Sequence, residues 1–404
     1  MTTVRDGVGR LRGGDRTWVL ATIALGWFLS LGVRYLLPAV LPQIKAAFDI
    51  GDATAGLAIT LVWVGYGAMQ FPAGALADGF DERALLAASL ALAGGGLALI
   101  GAAPVFSVFL VACGLLGLAT GLFGPARGIA LSRFFPSNPG RAFGVTLAAG
   151  SIGSATLPFL AAAVVERLGW RLAVGLPVPL FVATAASTWV VVPVGRGRDD
   201  EDAGLSLGGL RRTVRRALAD RAIVVGVLGT TFMLFTYQAL TAFLPTYLIQ
   251  EKGISQPTAS GLFALLFVAG AGSHLIAGAA ADRVGSRPVA LVIATVGVIA
   301  LAALPFVDGL LPLAALVVVL STRVGFPSVL NPYIIRTLPE EATGTAWGLF
   351  RTGFFLVGAT GSTVVGVLSD AGLFAEAFYL LAGLTGVAAV LFVFLPVEQT
   401  VRRD

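Results

Sequence analysis

The chain has 404 residues, of which 57% are hydrophobic and only 12% are charged, and its net charge is +5. A soluble fold must cover itself with polar groups, so this composition excludes a soluble enzyme or binding domain. In a membrane protein, such an excess of basic residues indicates cytoplasmic loops and not nucleic-acid binding.

Long apolar runs follow one another along the chain. A run of about 20 apolar residues crosses a bilayer as an α-helix, whereas the strands of a membrane barrel are shorter and alternate in polarity. The chain contains twelve such runs and is therefore predicted to be an all-α membrane protein with twelve transmembrane helices. Predicted spans 1 to 12 cover residues 18–42, 54–77, 84–101, 105–129, 142–165, 172–194, 222–249, 258–281, 289–305, 310–335, 345–367 and 373–394.

A long polar break divides the spans into two sets of six. It predicts an N-terminal bundle over residues 18–194 and a C-terminal bundle over residues 222–396, with a cytoplasmic linker at 195–221 and tails at 1–17 and 397–404. Within the linker, leucine and valine recur at helical spacing between pairs of arginines, which predicts an amphipathic helix bound to the inner lipid surface. The alternative is a plain solvated tether between the bundles.

The basic residues predict the orientation. If the N-terminus lies inside, 19 of the 27 lysines and arginines fall on cytoplasmic segments, 4 on outer segments and 4 within spans. The positive-inside rule therefore predicts a multi-pass protein of the cell (plasma) membrane with both termini in the cytoplasm.

One short sequence occurs twice, each time between the end of one apolar run and the start of the next. The first copy runs from Gly74 to Asp78 and continues to Arg83. Because the copies are separated by half the chain length and share charged residues, chance repetition of apolar sequence does not explain them. The second copy begins 204 residues further on and contains Gly278, Asp282, Arg283, Gly285 and Arg287.

This duplicated sequence resembles the cytoplasmic-loop signature of the major facilitator superfamily of membrane transporters. The first copy departs from the signature, with Gly79 where a basic residue is usual and Asp81 where glycine is usual. The resemblance implies two pseudo-symmetric six-helix bundles, with a substrate site between them near mid-membrane and transport by alternating access. It also implies a gating role for the signature residues and for Arg127, Arg133 and Arg141.

Four arginines lie within predicted spans: Arg34, Arg127, Arg323 and Arg351. A charge inside a bilayer is costly, so such residues usually face a wet cavity and serve function. No carboxylate lies clearly at mid-span to neutralise them, and unpaired guanidinium groups favour an anionic ligand. We therefore predict a small anionic substrate. Arg323, near the middle of span 10, has a suitable depth for binding it, and Arg351, in the inner third of span 11, either binds it or serves the inner gate.

The sequence from Arg34 to Pro42 resembles the organic-anion and organophosphate branches of the same superfamily, in which a first-helix arginine contacts the substrate. The organophosphate antiporters also carry an arginine at the matching point of span 7, where this chain has Tyr237. The absence of this second arginine favours a carboxylate-type organic anion over a phosphate ester as the substrate. Tyr237 and Gln238 are further candidate ligand groups. The alternative for Arg34 is pairing with neighbouring carbonyl groups.

His274 is the only histidine and lies in predicted span 8, about one turn before Gly278. Gln70 holds the matching place in the first half. Histidine is the side chain that titrates most readily near neutral pH, so His274 is a candidate for carrying a coupling proton. The alternative is a polar residue that packs between helices.

Other functional classes find no support in the residues. There is no Walker phosphate loop and no Ser-His-Asp spacing, and one histidine and one cysteine cannot form a clustered metal site. We therefore predict a secondary transporter and not an enzyme, without a cofactor, expected to be a monomer, and coupled to protons, sodium or a counter-anion. The first alternative is an exporter of hydrophobic or cationic compounds, usually marked by a mid-membrane acidic residue in the first half, which this chain lacks. The second is a membrane sensor, which would need an added signalling domain.

Overall fold

A computed structural model describes residues 13–194, 219–338 and 343–396, and over these residues the chain is helical, without strands. The predicted linker helix and the tail at 397–404 lie outside the described residues. The helix of span 1 begins at Gly13, so it includes the end of the predicted tail at 1–17.

Twelve spans are present, as predicted. Eleven stretches of the described chain are long and apolar enough to cross a membrane, and one of them, Gly140–Val191, has 52 residues. A single crossing needs only about 20 residues. The backbone at Gly169 leaves the helical region with a φ of 75°, which glycine tolerates because it has no Cβ, and this break divides the stretch into spans 5 and 6.

The observed bounds lie within a few residues of those predicted. Span 1 consists of three segments, and so does span 10. The helix Pro139–Gly175 contains span 5 and, after the break at Gly169, the first part of span 6. Spans 1 to 6 are Gly13–Gly32 with Val33–Tyr35 and Leu36–Ala39, Asp52–Gly79, Glu82–Ala102, Phe106–Phe134, Pro139–Gly175 and its continuation Val178–Val191. Spans 7 to 12 are Arg221–Gln250, Gln256–Val284, Ser286–Ala303, Leu310–Leu320 with Ser321–Gly325 and Phe326–Thr337, Thr343–Asp370 and Phe374–Val393.

The two sides of the bundle are named here by the chain ends. The terminal face is the side on which span 1 begins and span 12 ends, and the far face is the opposite side. Two clusters of buried apolar residues form the core. One consists of residues from spans 1 to 6 and their connections. The other consists mainly of residues from spans 7 to 12, joined by Tyr35, Trp63 and Tyr66 from the first half. These aromatic side chains therefore belong to the contact between the two halves.

Spans 1 and 10 share an irregularity that the sequence prediction did not include. Each contains a short 3-10 segment, Val33–Tyr35 in span 1 and Ser321–Gly325 in span 10, and each segment contains a buried arginine. Arg34 stands four residues before Pro38, and Arg323 stands four residues before Pro327. Because proline has no backbone N–H, the carbonyl of each arginine lacks its usual helical partner, which explains why the helix tightens there.

Two glycines of span 4 bring span 2 close to it. A Cβ on Gly117 would lie 2.1 Å from the carbonyl oxygen of Val62, and a Cβ on Gly121 would lie 2.8 Å from that of Tyr66. Only glycine permits such an approach of two backbones. These contacts fix the part of span 2 from which Tyr66 extends.

Hydrogen bonds join the two halves at the far face. The Asp370 carboxylate, at the end of span 11, accepts the backbone N–H groups of Asp52 at 2.6 Å and Ala53 at 2.8 Å. Ser369 donates to the Asp52 carboxylate at 3.0 Å, and Lys45 pairs with Asp52 at 2.6 Å. A carboxylate at the N-terminus of a helix is favourable because it accepts free N–H groups and interacts well with the helix dipole. Asp370 therefore caps span 2 from the opposite half and holds the far face closed.

We expect Asp370→Asn to loosen this closure. The amide has no charge and turns a donor toward the N–H groups, so the change costs about 1.4 kcal/mol, or about tenfold in the closed-to-open ratio. The measurement is the labelling rate of a cysteine at the buried position Ala55 in a Cys113→Ser background, with the reagent added at the far face.

The matched control is Glu376→Gln, because Glu376 is an exposed carboxylate at the start of span 12 on the same face. Labelling about ten times faster in Asp370→Asn alone supports the closure. An equal rate in both variants contradicts it.

Candidate functional site

A cavity of about 170 Å³ lies between the two halves. At about 30 Å³ for each water of the liquid, it has room for a small solute and is smaller than the pockets of about 300–1,000 Å³ that hold drug-sized ligands. None of the described residues that line it is acidic. Its polar and aromatic lining consists of Trp27, Arg34, Tyr35, Trp63, Tyr66, Ser151, Ser154, Tyr237, Gln238, Phe267, His274, Phe326 and Phe355.

Arg34 lines the cavity from the 3-10 turn of span 1, and only 2% of its surface is exposed. Its Nε donates to the carbonyl oxygen of Ser30 at 3.0 Å, so the alternative to substrate binding, pairing with neighbouring carbonyls, is present in part. Its Nη2 is buried and has no hydrogen-bond partner among the described residues. The guanidinium group therefore retains an unsatisfied donor beside the cavity, where an anion would accept from it.

Three aromatic rings surround the Arg34 guanidinium group. Its carbon lies 4.0 Å from the ring centre of Tyr66, 5.0 Å from that of Trp63 and 5.7 Å from that of Trp27. Ring faces attract a cation, by up to about 2 kcal/mol each where water is excluded. The ring faces stabilise the charge and leave the Nη2 donor without a partner among the described residues.

Two further arginines approach the same rings. Arg351 of span 11 donates from Nη2 to the Tyr66 hydroxyl at 3.5 Å. Arg127 of span 4 donates to Thr146 Oγ1 at 2.9 Å, and its guanidinium carbon lies 4.1 Å from the Trp27 ring centre. The Nε atoms of both arginines are buried without a partner among the described residues. Arg34, Arg351 and Arg127 thus form one cationic cluster, which we call the arginine cluster.

Span 7 contributes two polar side chains to the cavity, both of which the sequence predicted as ligand groups. The Tyr237 hydroxyl accepts a hydrogen bond from the Tyr35 hydroxyl at 3.4 Å, which joins the two halves. Gln238 is 1% exposed, and both polar atoms of its amide are buried without a partner among the described residues. A buried, unpaired amide beside a cavity is a group that a polar ligand would satisfy.

Arg323 lies outside the cavity lining. Its guanidinium group donates to Thr385 of span 12 at 3.0 Å and to Thr236 of span 7, and a Cβ on Gly297 would lie 2.6 Å from its Nη1. The side chain is fully buried among spans 7, 9 and 12. Its depth is that predicted from the sequence, but its direction is away from the arginine cluster.

His274 lies half-buried in the cavity wall. Its Nδ1 is 2.8 Å from the Ser328 hydroxyl of span 10. The matching residue of the first half, Gln70, is instead buried against the backbone and donates to the carbonyl oxygen of Tyr66 at 3.0 Å. The two matching residues therefore differ in environment, and only the histidine reaches the cavity.

The first signature copy is held within the first half. Arg83 lies 4.6 Å from the Trp189 ring centre and donates to the Trp189 carbonyl oxygen at 3.3 Å. Asp81, which departs from the family pattern, accepts the backbone N–H of Arg83 at 3.3 Å and so caps span 3. Arg133 pairs with Glu82 at 2.8 Å. The side chain of Asp78 lies outside the described part of the structure.

The second signature copy lies at the turn between spans 8 and 9 on the terminal face. Gly285 has a φ of 91°, which explains the glycine there. Asp282 and Arg283 are exposed and Arg287 is half-buried. Gly74 of the first copy faces open space, Gly278 lies near Ser328, and Arg141 at the start of span 5 is exposed. The second-copy residues from Asp282 to Arg287 therefore lie at the terminal face, as do Arg83, Arg133 and Arg141, whereas Arg127 and Gly278 lie deeper in the bundle.

The sequence reasoning missed Trp27, Trp63 and Tyr66. A signal for two of them was present, because Trp63 and Tyr66 are three residues apart on span 2 and therefore point to one side of the helix. Trp27 stands seven residues, or about two helical turns, before Arg34, which is also the spacing of one helix face, but the 3-10 turn at Arg34 makes this a weaker signal.

Twelve spans in two packed sets, with a cavity between them that is lined by polar groups, define a secondary transporter of the two-bundle type. The family model of the Major Facilitator Superfamily matches residues 23–359. The chain belongs to this superfamily, and it is a transporter and not an enzyme.

Individual relatives cover nearly the whole chain. A probable sulfoacetate transporter, SauU, of Cupriavidus necator is 23% identical and covers 94% of each chain. The fosmidomycin resistance protein of Escherichia coli is 25% identical and covers 94% of this chain and 92% of its own. Among solved structures, a bacterial homologue of the human lysosomal transporter Spinster superposes with a TM-score of 0.78 at 15% identity, covering 95% of this chain and 97% of that one. The solved structure supports the fold alone.

Proposed function

We propose that the protein transports a small organic anion of the carboxylate type by alternating access, and that Arg34 binds its anionic group. The observation that carries the proposal is the buried, unpartnered Nη2 of Arg34 beside a cavity whose described lining contains no acidic residue. A buried cation with an unused donor is stabilised strongly by an anion that accepts from it. Gln238 and Tyr237 are positioned to bind the remaining polar atoms. The similarity to a probable sulfoacetate transporter supports an anionic substrate.

Export of hydrophobic or cationic compounds is the second candidate. The similarity to a resistance protein supports export as the direction, and the aromatic share of the cavity lining supports a hydrophobic or cationic compound. Two observations favour the anion: no described lining residue carries the carboxylate that would bind a cation, and the cavity is small for a drug-sized compound.

Binding of a panel of small anions and cations to the purified protein separates the two candidates. We expect carboxylates and sulfonates to raise its thermal stability in a concentration-dependent way, because a ligand that binds only the folded state stabilises it. Lipophilic cations at the same concentrations should have no effect. Stabilisation by the cations alone would replace this proposal with the second candidate.

We further propose that the terminal face is cytoplasmic and that the membrane is the plasma membrane. The distribution of basic residues supports this orientation, with 19 of 27 on segments that the prediction assigns to the inside. A reporter fused to the C-terminus should be active only in the cytoplasm. Activity of the same fusion on the outer side contradicts the orientation.

His274 is the proposed site of proton coupling, because it is the histidine of the cavity wall and bonds across to span 10. The other titratable or charged groups of the lining are Arg34 and the tyrosines Tyr35, Tyr66 and Tyr237. We expect His274→Gln to remove the pH dependence of anion uptake between about pH 5 and 8, where histidine titrates. Glutamine can still bond with Ser328 and matches Gln70 of the first half. An unchanged pH profile in this variant would assign His274 to helix packing.

A further inference from the structure

The arginine cluster has more positive charge than one anionic group would balance. Arg34, Arg351 and Arg127 meet around Tyr66 and Trp27 and form no ion pair among the described residues. Each retains a buried nitrogen without a partner. Like charges at close range in a water-poor site repel each other, so the site favours a ligand of higher negative charge over one of lower charge.

Arg34 and Arg351 approach Tyr66 from opposite halves, and their positions along spans 1 and 11 are counted from opposite faces of the bundle. Arg34 is five residues before Ala39, where span 1 ends toward the far face. Arg351 is eight residues after Thr343, where span 11 begins at the terminal face. The Tyr66 ring contacts the first guanidinium group and its hydroxyl accepts from the second. Arg34 lines the cavity itself, whereas Arg351 is outside the lining and reaches the cavity edge through the Tyr66 hydroxyl.

We propose that the substrate is a dianion, an organic molecule with two negatively charged groups, of which one binds Arg34 of the first half and the other binds Arg351 of the second half. This inference rests on the proposed anion transport and specifies its substrate class. The cavity of about 170 Å³ limits the substrate to a short carbon skeleton between the two groups. Arg127 lies behind Trp27 and adds to the positive potential without direct contact.

A dianion held in this way links substrate binding to movement of the halves. Only the arrangement in which spans 1 and 11 both reach Tyr66 binds both charged groups at once. A ligand shifts a conformational equilibrium by its difference in affinity for the two states. The second anionic group therefore provides binding energy that favours the arrangement in which spans 1 and 11 meet at Tyr66. A monoanion bound by Arg34 alone does not provide this energy.

The test compares ligands that share a skeleton and differ by one charged group. Dissociation constants of the purified full chain are measured for acetate and methanesulfonate as monoanions, and for sulfoacetate and malonate as dianions. We expect the dianions to bind at least about tenfold more tightly, since one additional charge-assisted contact is worth about 1.5–3 kcal/mol. Arg351→Gln should weaken dianion binding about tenfold and change monoanion binding by no more than about twofold. Arg351→Lys should lose less, because it retains the charge.

Further measurements separate the dianion from its alternatives. Monoanion affinity reports that the Arg351 variants have a folded Arg34 site. Arg167→Gln removes one positive charge at an exposed position on the far face and should leave the dianion preference intact. Equal affinity for both ligand classes in the parent, or an equal loss for both in Arg351→Gln, overturns the dianion and leaves the anion transporter. Failure of every anion to bind overturns the proposed function itself.

Discussion

Replacing Arg34 with alanine is expected to abolish anion binding while the protein still inserts and folds. Arg34 lines the cavity, and the variant loses its unpartnered Nη2 donor and the positive charge close to Trp63 and Tyr66. A charge-assisted pair in a water-poor site is worth about 3 kcal/mol, so the affinity should fall about 100-fold or more. Arg34→Lys retains the charge but not the planar pair of donors, and about tenfold weaker binding is expected.

The measurement for Arg34 is anion binding to purified parent and variant proteins, with folding followed by size-exclusion chromatography and thermal unfolding. Tyr66→Phe is a useful companion, because it keeps the ring under Arg34 and removes only the hydroxyl that contacts Arg351. Unchanged affinity in a folded Arg34→Ala protein would show that the anion does not bind at the arginine cluster.

Replacing Arg323 with alanine is expected to damage stability and not binding. The residue fills space beside Gly297 and donates to Thr236 and Thr385, all within the second half. Its removal leaves a cavity and two hydroxyl groups that lose a partner, at a cost of about 2–4 kcal/mol. The melting temperature in detergent should therefore fall strongly, whereas the protein that remains folded should bind anions with nearly the parental affinity.

Arg323→Met is the matched control, since it restores much of the packing volume without the charge. We expect Arg323→Met to recover part of the lost stability. Anion affinity is measured below the melting temperature of each variant. Loss of binding in folded Arg323→Met would return Arg323 to the substrate site, as the sequence alone predicted.

The comparison of Arg34 with Arg323 shows how far the sequence determines the site. Both are arginines in 3-10 segments near mid-span, four residues before a proline, and the hydropathy pattern gives them similar depth. Depth follows from counting residues along an apolar run. The direction in which a side chain points around its helix depends on how the spans pack. Arg34 and Arg323 have similar positions along their spans, but their side chains enter different surroundings. The sequence therefore predicted both as ligand residues, whereas the structure brings only Arg34 to the cavity.

The spans themselves were predictable because a bilayer requires long apolar runs, and all twelve were found within a few residues of their bounds. The contacts between the two halves were not predictable from the sequence. Asp370 and Asp52 are 318 residues apart, and nothing near either residue in the sequence indicates that one caps the helix of the other. The same holds for Tyr66 and Arg351, whose contact joins spans 2 and 11.

Transport by the purified protein in sealed vesicles tests the central claim most directly. Vesicles that contain either the parent or Arg34→Ala are supplied with a radiolabelled small organic anion, with sulfoacetate as the first choice, and uptake is followed with and without a pH gradient. We expect saturable uptake by the parent, competition by other small dianions, and no uptake by Arg34→Ala. Transport of a lipophilic cation in place of every anion, or equal anion uptake by the parent and Arg34→Ala, would contradict the central claim.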